Sequence, residues 1–228
     1  MTGQRTVRVA VIDSGVHASH PHVGGVAGGV GIDDSGATHE DFLDRLGHGT
    51  AVTAAILEKA PKTEIVAIKV FDRELAATGA ALIAACHHAR ERGCDLVNMS
   101  LGTVNAEYEA SLIEAIGSLR ECGAVVIAAG EQAGIRWLPG ALPGAWAVTL
   151  DWGIPREQCR LDRLGAGGAA FRASGYPRPI PGVPAVQNLR GVSFAVANVT
   201  GIVASLIARH GGDPTAAVTR AFEKGFFT

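Results

Sequence analysis

The sequence predicts an α/β fold with three layers: a mostly parallel, doubly wound sheet with helices on both faces. Five short apolar runs recur along the 228 residues, and they are nearly continuous, as strands buried on both faces should be. Helical patterns lie between them, and strand–helix–strand repetition implies parallel pairing with right-handed crossovers. The composition agrees, because 47% of the residues are apolar and 18% are charged. The predicted strands are Val7–Ile12, Ile65–Phe71, Leu96–Leu101, Ala124–Ala129 and Ala145–Leu150.

The helices between the strands are marked by residues suited to their ends. Thr78 can cap a helix that ends at Gly93, with two arginines in its last turn. Two more predicted helices are Gly49–Ala60 and the apolar segment that begins at Ser193.

A further helix is predicted between Asn105 and Gly123. Asn105 can cap its start, and Gly123 follows its end. Within it, Leu112, Ile116 and Leu119 share one face at spacings of four and three, so that face should be buried.

Two segments are predicted to be loops. Gly24–Leu46 is rich in glycine and acidic residues, and Tyr176–Arg190 contains four prolines that favour an extended, solvated path. The second loop is either a stiff surface connection or a docking or gating segment, because it leads directly to Ser193. No internal repeat and no linker divides the chain, so residues 1–228 are predicted to form a single domain.

Charge and hydropathy argue against two classes of partner. The formal net charge is −2 and there is no basic stripe, so nucleic acid is not an expected partner. The longest apolar stretch, Phe194–Ala208, is interrupted by Asn198, Thr200 and Ser205. It is too short to span a bilayer, and we interpret it as a buried helix rather than a membrane anchor.

The cysteines and the N-terminal residues indicate the cellular location of the protein. The spacings of Cys86, Cys94, Cys122 and Cys159 match no metal or redox motif, so they are predicted to be reduced thiols. The N-terminal residues lead directly into a strand without a secretory signal. Together these features predict a cytoplasmic protein.

Three polar residues beside glycines carry the candidate chemistry. Asp13 ends the first predicted strand, His48 opens a helix, and Ser193 opens the apolar helix after Gly191. Such positions meet at the carboxyl edge of a parallel sheet, where ligands bind. A nucleophilic serine needs a base to take its proton and a carboxylate to orient that base. Taken singly, Asp13 is typical of a turn, His48 of a surface position and Ser193 of a helix N-cap. Their combination favours a catalytic role.

Four motifs surround these residues in a characteristic order, and they cover nearly the whole chain. They are Val11-Ile12-Asp13-Ser14-Gly15 with Ser19-His20-Pro21, then Gly47-His48-Gly49-Thr50, then Val97-Asn98-Met99-Ser100-Leu101-Gly102, and finally Gly191-Val192-Ser193-Phe194-Ala195. In these motifs the sequence resembles the subtilisin-like serine peptidases. The resemblance implies a subtilisin-like fold and peptide or protein substrates. It implies no cofactor.

The resemblance also implies a role for each residue. Ser193 attacks a peptide carbonyl and forms an acyl-enzyme, His48 takes its proton and returns it to the leaving amine, and Asp13 orients His48. The strand Ser100–Gly102, which includes Leu101, pairs with the substrate backbone. The walls of the specificity pocket come from Ser100–Thr103 and from 128–131.

One position departs from the family pattern. Where the family has an asparagine that binds the oxyanion, the segment after Gly130 has Glu131, followed by Gln132. Losing such a donor costs roughly 10²–10³ in rate. Glu131 is protonated and donates, or the amide of Gln132 takes over, or the backbone N–H of Ser193 acts alone in a slow or inactive protein.

Other departures concern a pro-segment and metals. Asp13 comes too early for an N-terminal pro-segment, and the usual calcium loop after the histidine helix is missing. His17, His20 and His22 could bind a transition metal. The resemblance already explains His20 as part of a loop, so no metal site is predicted.

The sequence therefore predicts a serine endopeptidase that acts on a narrow set of peptides, such as a precursor peptide, with a possible partner protein from the same pathway. The alternative is a weak or inactive relative that only binds peptides. An esterase or peptide ligase would use the same three residues, and the sequence does not separate these outcomes.

Overall fold

A mixed sheet of nine strands runs through the described part of the molecule. The computed structural model describes residues 6–72, 77–132 and 134–227. The strands are β1 Arg8–Asp13, β2 Gly28–Ile32, β3 Thr38–His39, β4 Glu64–Lys69, β5 Leu96–Met99, β6 Val125–Ala129, β7 Glu131–Gln132, β8 Ile135–Arg136, β9 Trp146–Leu150, β10 Cys159–Gly165 and β11 Gly168–Ala173. The helices are α1 His48–Lys59, α2 Gly79–Glu91, α3 Glu109–Glu121, α4 Val192–His210 and α5 Pro214–Glu223.

The sheet order is β10-β11-β9-β6-β5-β1-β4-β2-β3, and β7 and β8 form a separate hairpin. The central pairs are parallel, and the antiparallel pairs β10–β11 and β2–β3 lie at the two edges. All five predicted strands are present, with ends that differ by at most two residues. The predicted fold class is confirmed.

Helices cover both faces of the sheet. Alternate residues of β1 face opposite cores, since Val9 and Val11 pack with α1, α4 and α5, whereas Ala10 and Ile12 pack with α2 and α3. Each face buries a contiguous apolar cluster, which gives the three layers that the sequence predicts.

The predicted helix ends are close to the observed ones. The hydroxyl of Thr78 accepts a hydrogen bond from the N–H of Ala81, so Thr78 caps α2. Asn105 caps a short 3₁₀ turn, Ala106–Tyr108, and α3 begins only after it. Leu112, Ile116 and Leu119 are fully buried, as their spacing predicts.

The prediction that Gly24–Leu46 is a loop throughout is wrong, because this segment contributes β2 and β3. Glycines inside β2 permit close crossings rather than turns. A Cβ at Gly29 would lie 2.5 Å from the ring of Phe42, and a Cβ at Gly31 would collide with the ring of His39. Glycine therefore marks tight packing here.

No sequence pattern described above predicts the hairpin of β10 and β11. In contrast, Tyr176–Arg190 is an irregular segment with one 3₁₀ turn, as its prolines predict. The prediction of a single domain over residues 1–228 stays a prediction.

The longest helix, α4, is long and apolar enough to cross a membrane by length and composition. Most of it is buried within the described structure, with 72% of its most apolar window covered. It packs against α1 and the sheet, as expected for the core helix predicted from Phe194–Ala208.

Candidate active site

Asp13 and His48 meet at the carboxyl edge of the sheet. Asp13 is the last residue of β1, and His48 is the first residue of α1. The distance from Nδ1 of His48 to Oδ1 of Asp13 is 2.7 Å. The Asp13 side chain is fully buried, and that of His48 is 14% exposed. A carboxylate on Nδ1 leaves Nε2 free to accept a proton from a nucleophile.

A second buried carboxylate holds the turn that carries His48. Asp44 accepts hydrogen bonds from the backbone N–H groups of Leu46, Gly47 and Thr50, and from the hydroxyls of Ser14 and Thr50. These bonds satisfy donors at the start of α1, which otherwise lack partners within the helix. The position of His48 is thus fixed by the loop before it.

Backbone conformation and close packing explain why both neighbours of His48 are glycines. Gly47 has a φ of 82°, in the left-handed region that favours glycine. A Cβ at Gly49 would collide with the carbonyl oxygen of Gly15 and lie 3.1 Å from the Cβ of Asp13. Only a glycine allows α1 to start this close to β1.

The environment of His48 changes its proton affinity. Burial alone would lower its pKa, but the hydrogen bond that His48 donates to Asp13 and the charges of Asp13 and Asp44 outweigh burial, so the pKa of His48 is raised. The site therefore stabilises the imidazolium form that a general base produces.

Ser193 lies in the first turn of α4, directly after Gly191 and Val192. The first backbone N–H groups of a helix have no partner within it, so they can bind a developing negative charge. The hydroxyl of Ser193 donates to the carbonyl oxygen of Ser100 at 2.9 Å. No hydrogen bond joins the described side chains of Ser193 and His48, although both line the same cleft.

That cleft has a volume of about 390 Å³. Ser100, Leu101 and Gly102, the predicted substrate strand, line it together with His48 and Ser193. Sequence reasoning missed other lining residues, since they lie in segments without a motif: Phe71, Leu82 and Trp137. Val192 also lines the cleft and belongs to the serine motif. Gly130, Glu131 and Gln132 are not part of the lining.

Glu131 and Gln132 form β7, which pairs with β8. The Glu131 side chain is exposed, whereas Oε1 of Gln132 accepts the backbone N–H of Leu150 at 3.1 Å. The amide oxygen of Gln132 is thus held at the end of β9. This bond does not use the NH₂ group of Gln132, which would be the donor to an oxyanion.

A buried polar chain joins β5 to the start of α4. Asn98 donates to the hydroxyl of Ser100 at 2.8 Å, and that hydroxyl donates to the carbonyl oxygen of Ser193 at 3.1 Å. Thr200 donates to Asn98 at 3.0 Å. Buried polar groups joined in this way fix the register of α4 against β5 and the segment after it, which lines the cleft.

Asn198 anchors the loop that precedes Ser193. Its amide donates to the carbonyl oxygens of Ser174 and Tyr176, at 2.9 and 3.1 Å. Asn198 therefore ties α4 to the start of the proline-rich loop.

The three histidines of the first loop do not form a metal centre in the described structure. His22 donates its backbone N–H to Nδ1 of His20 at 3.2 Å. Across residues 6–72, 77–132 and 134–227, no group of three or more His, Cys, Asp or Glu side chains could hold a metal ion.

Comparison with known proteins identifies the family. The model of the Subtilase family matches residues 4–150, more than half of the chain. The chain belongs to the subtilase family. The matched range of this subtilase contains Asp13 and His48 and ends before Ser193.

Several known proteins are similar to this subtilase. Subtilisin DY of Bacillus licheniformis is 32% identical over 137 residues, which are 56% of this chain and 48% of the relative. Thermitase of Thermoactinomyces vulgaris is 31% identical over 136 residues, with the same two shares of 56% and 48%. The aligned part spans about half the length of each.

A solved structure gives a longer match. The structure of the prenylagaramide maturation protease PagA superposes with a TM-score of 0.68 at 25% identity, covering 92% of this chain and 80% of that one. The share of the chain that it covers is larger than the range matched by the family model.

Proposed function

We propose that this subtilase is a serine endopeptidase that uses Asp13, His48 and Ser193. The observation that carries the proposal is the 2.7 Å bond between Asp13 and His48, with Ser193 in the same cleft. Family membership supports the same chemistry.

The chemistry begins with a rotation of the Ser193 hydroxyl away from the carbonyl oxygen of Ser100. A peptide that pairs with Ser100–Gly102 offers an N–H to that carbonyl, and this exchange frees the hydroxyl to turn toward His48. Oγ then attacks the substrate carbonyl as its proton moves to Nε2 of His48. The C–N bond breaks, His48 protonates the leaving amine, and water hydrolyses the ester on Ser193.

The oxyanion is stabilised mainly by the backbone N–H of Ser193 at the start of α4. Helix N-termini favour negative charge, and the 19 residues of α4 supply a long series of aligned peptide dipoles. The exposure of Glu131 and its position outside the cleft lining support an oxyanion site that does not use its carboxylate.

We propose a narrow substrate range, with a precursor peptide as the example. The similarity to a maturation protease at 25% identity supports this proposal. The four cysteines are free thiols, which is compatible with the proposed cytoplasmic location. A partner protein from the same pathway is part of this proposal.

A fluorophosphonate probe tests the catalytic proposal. Labelling at Ser193 should disappear in Ser193→Ala and fall strongly in His48→Ala. Mass spectrometry of a peptide library, with Ser193→Ala as the control, then gives the cleavage sites. An unlabelled but folded wild-type protein would contradict the proposal.

A second candidate is a peptide-binding protein without turnover. The observation that favours it is the Ser193 hydroxyl, which is bound to the carbonyl oxygen of Ser100 and not to His48. In that case the library peptides bind without cleavage. An esterase or ligase differs only in the acceptor of the acyl group, and added amine or peptide acceptors in the same assay separate these outcomes.

A further inference from the structure

Asn98 is a polar residue in a strand whose other residues are apolar. It lies in β5, which pairs in parallel with β1 on one side and with β6 on the other. The residue is fully buried, and Leu96, which shares its face of the strand, packs in the apolar cluster with α4. Burying an amide costs free energy unless its polar atoms find partners, so the partners of Asn98 indicate its role.

Those partners join β5 to α4. Oδ1 of Asn98 accepts the hydroxyl of Thr200 at 3.0 Å, and Nδ2 donates to the hydroxyl of Ser100 at 2.8 Å. The Ser100 hydroxyl has one proton to donate, and it points to the carbonyl oxygen of Ser193 at 3.1 Å. The buried polar chain of Thr200, Asn98 and Ser100 therefore donates in one direction and ends on the backbone of the proposed nucleophile.

This chain begins and ends on the same helix. Thr200 lies seven residues after Ser193, which is close to two turns, so the two residues lie on one side of α4. The Thr200 hydroxyl also lies 2.9 Å from the carbonyl oxygen of Val196, which is one turn closer to Ser193. The first turns of α4 are therefore attached to β5 and to Ser100 at two points, with Asn98 between them.

Ser100 and Ser193 are joined by a second bond in the opposite direction. The Ser193 hydroxyl donates to the carbonyl oxygen of Ser100 at 2.9 Å. The two serines thus close a ring of two hydrogen bonds, each from one hydroxyl to the carbonyl of the other residue. Because the ring includes both the carbonyl and the hydroxyl of Ser193, it fixes the nucleophile against the segment that lines the cleft.

Burial makes these bonds sensitive to the loss of any member. Asn98 and Thr200 are fully buried, and Ser100 is 6% exposed. A buried group that loses its partner finds no water to replace it, and neighbouring hydrogen bonds in a network weaken together. A change at Thr200 should therefore be felt at Ser193, two turns away.

We propose that Asn98 and Thr200 are positioning residues for the Ser193 nucleophile. Through the Ser100 hydroxyl they hold the Ser193 backbone in the place from which Oγ attacks and the N–H binds the oxyanion. The inference rests on the proposed function, and it adds to that reaction two residues that do not line the cleft.

Thr200→Val tests the far end of the chain. Valine keeps the shape of threonine but removes the hydroxyl, so Oδ1 of Asn98 loses its donor. We expect kcat to fall by about 10-fold with little change in KM, because a misplaced nucleophile slows the chemical step rather than substrate binding. Thr200→Ser keeps the hydroxyl and should retain kcat within about threefold of the wild type. Titration with the fluorophosphonate probe counts the active sites, so kcat is independent of the amount of folded protein.

Thr53→Val is the matched control. Thr53 is also a fully buried threonine in a helix, α1, but its hydroxyl has no hydrogen-bond partner within the described structure. Its removal breaks no bond, so kcat should stay at the wild-type value. The low-pH limb set by His48 should keep its midpoint in all of these variants, since none of them changes the contact with Asp13.

A double variant tests the route through Ser100. Ser100→Ala removes the donor to the Ser193 carbonyl, and kcat should fall by about 10- to 100-fold. If Thr200 acts through Ser100, then Thr200→Val combined with Ser100→Ala loses no more than Ser100→Ala alone. Losses that multiply in the double variant would show that the two residues act independently, which would refute the chain.

The outcomes separate this inference from the proposed function. A Thr200→Val protein with a lower melting temperature but the kcat of the wild type would show that the chain only stabilises the fold, and the endopeptidase would stand. An equal loss of kcat in Thr53→Val would also refute the positioning role. If the wild type cleaves no library peptide, the proposed function is overturned, and the rate of fluorophosphonate labelling replaces kcat in the same comparison. A wild type that is neither active nor labelled refutes both.

Discussion

Asp13 and His48 show how two residues set the chemistry of the site. Oδ1 of Asp13 accepts the N–H of Ser14 as well as bonding to Nδ1 of His48, both at 2.7 Å, so the carboxylate is fixed before it orients the imidazole. Burial of a histidine normally lowers its pKa, but here a buried carboxylate reverses the direction. The same contact orients the base and increases its basicity.

The pH dependence of activity follows from this contact. His48 accepts a proton only in its neutral form, so activity is lost as the pH falls through its pKa. Because that pKa is raised, the midpoint of the loss should lie above pH 6.5, the usual value for histidine. We expect log kcat/KM to fall with unit slope as the pH decreases through the pKa of His48. Initial rates from pH 5 to 9 measure this limb, and a midpoint clearly below 6.5 would contradict the role given to Asp13.

Asp13→Asn should leave the fold intact and remove most of the activity. An asparagine amide can donate to Nδ1, which forces the proton onto Nε2, so His48 no longer accepts the proton of Ser193. We expect a loss in kcat of about 10⁴, and the remaining limb of the pH profile should move to lower pH. The rate of fluorophosphonate labelling measures the loss. A melting temperature near that of the wild type excludes unfolding as the cause.

Glu131→Asn tests whether position 131 reaches the oxyanion. The side chain is exposed on β7 and lies outside the cleft lining, so we expect kcat to change by less than about tenfold. A gain of about 10² or more would instead mean that the native carboxylate handicaps catalysis. A comparable loss would mean that the Glu131 carboxyl group is protonated and donates a hydrogen bond to the oxyanion. Steady-state rates on the best library peptide distinguish the three results.

At the scale of elements, two helices determine whether the site is assembled. His48 begins α1 and Ser193 lies in the first turn of α4, and these helices pack against each other along their length. Gly201 of α4 makes this close approach possible. A Cβ at that position would lie 2.9 Å from the carbonyl oxygen of Ile56 and 3.1 Å from the Cβ of Lys59.

Gly201→Ala should therefore destabilise the protein and disturb the site. Overpacking against backbone costs about 1–3 kcal/mol, which exceeds the gain of about 1 kcal/mol in helix propensity. Gly117→Ala is the matched control in α3, since nothing lies within 4 Å of its added Cβ, and it should stabilise the protein slightly. Urea unfolding measures both changes. Equal effects in the two variants would contradict the packing argument.

The sequence predicts elements well where local and tertiary preferences agree. The caps Thr78 and Asn105 and the buried strands satisfy both, and these predictions are confirmed with small shifts at the ends. The sequence did not predict β2, because its glycines are required by close contacts with Phe42 and His39. Local sequence patterns do not show such tertiary contacts.

At the scale of the whole molecule, the sequence predicts only those residues of the site that lie in motifs. The order of Asp13, His48 and Ser193 predicts their convergence, because the carboxyl ends of parallel strands share one edge. Trp137 lines the cleft because Leu138 pairs with Thr103 across a single antiparallel bridge, at 2.9 Å in both directions.

The cysteines report on the stability of the whole molecule. Cys86, Cys94 and Cys159 are buried, and burial raises the pKa of each thiol to about 12, so none reacts while the fold is closed. Cys122 is exposed.

Iodoacetamide should therefore add one group to the native protein, at Cys122, and four in denaturant. The three buried thiols react only through opening, so their rate of labelling tracks the free energy of unfolding when opening is fast relative to alkylation. Gly201→Ala should accelerate this slow labelling by roughly 10-fold for each 1.4 kcal/mol of lost stability, and Gly117→Ala should not. Intact-mass spectrometry over time follows both rates. Rapid labelling of more than one thiol in the native wild type would mean that the two packed faces of the sheet open locally, and the core would then not behave as one cooperative unit.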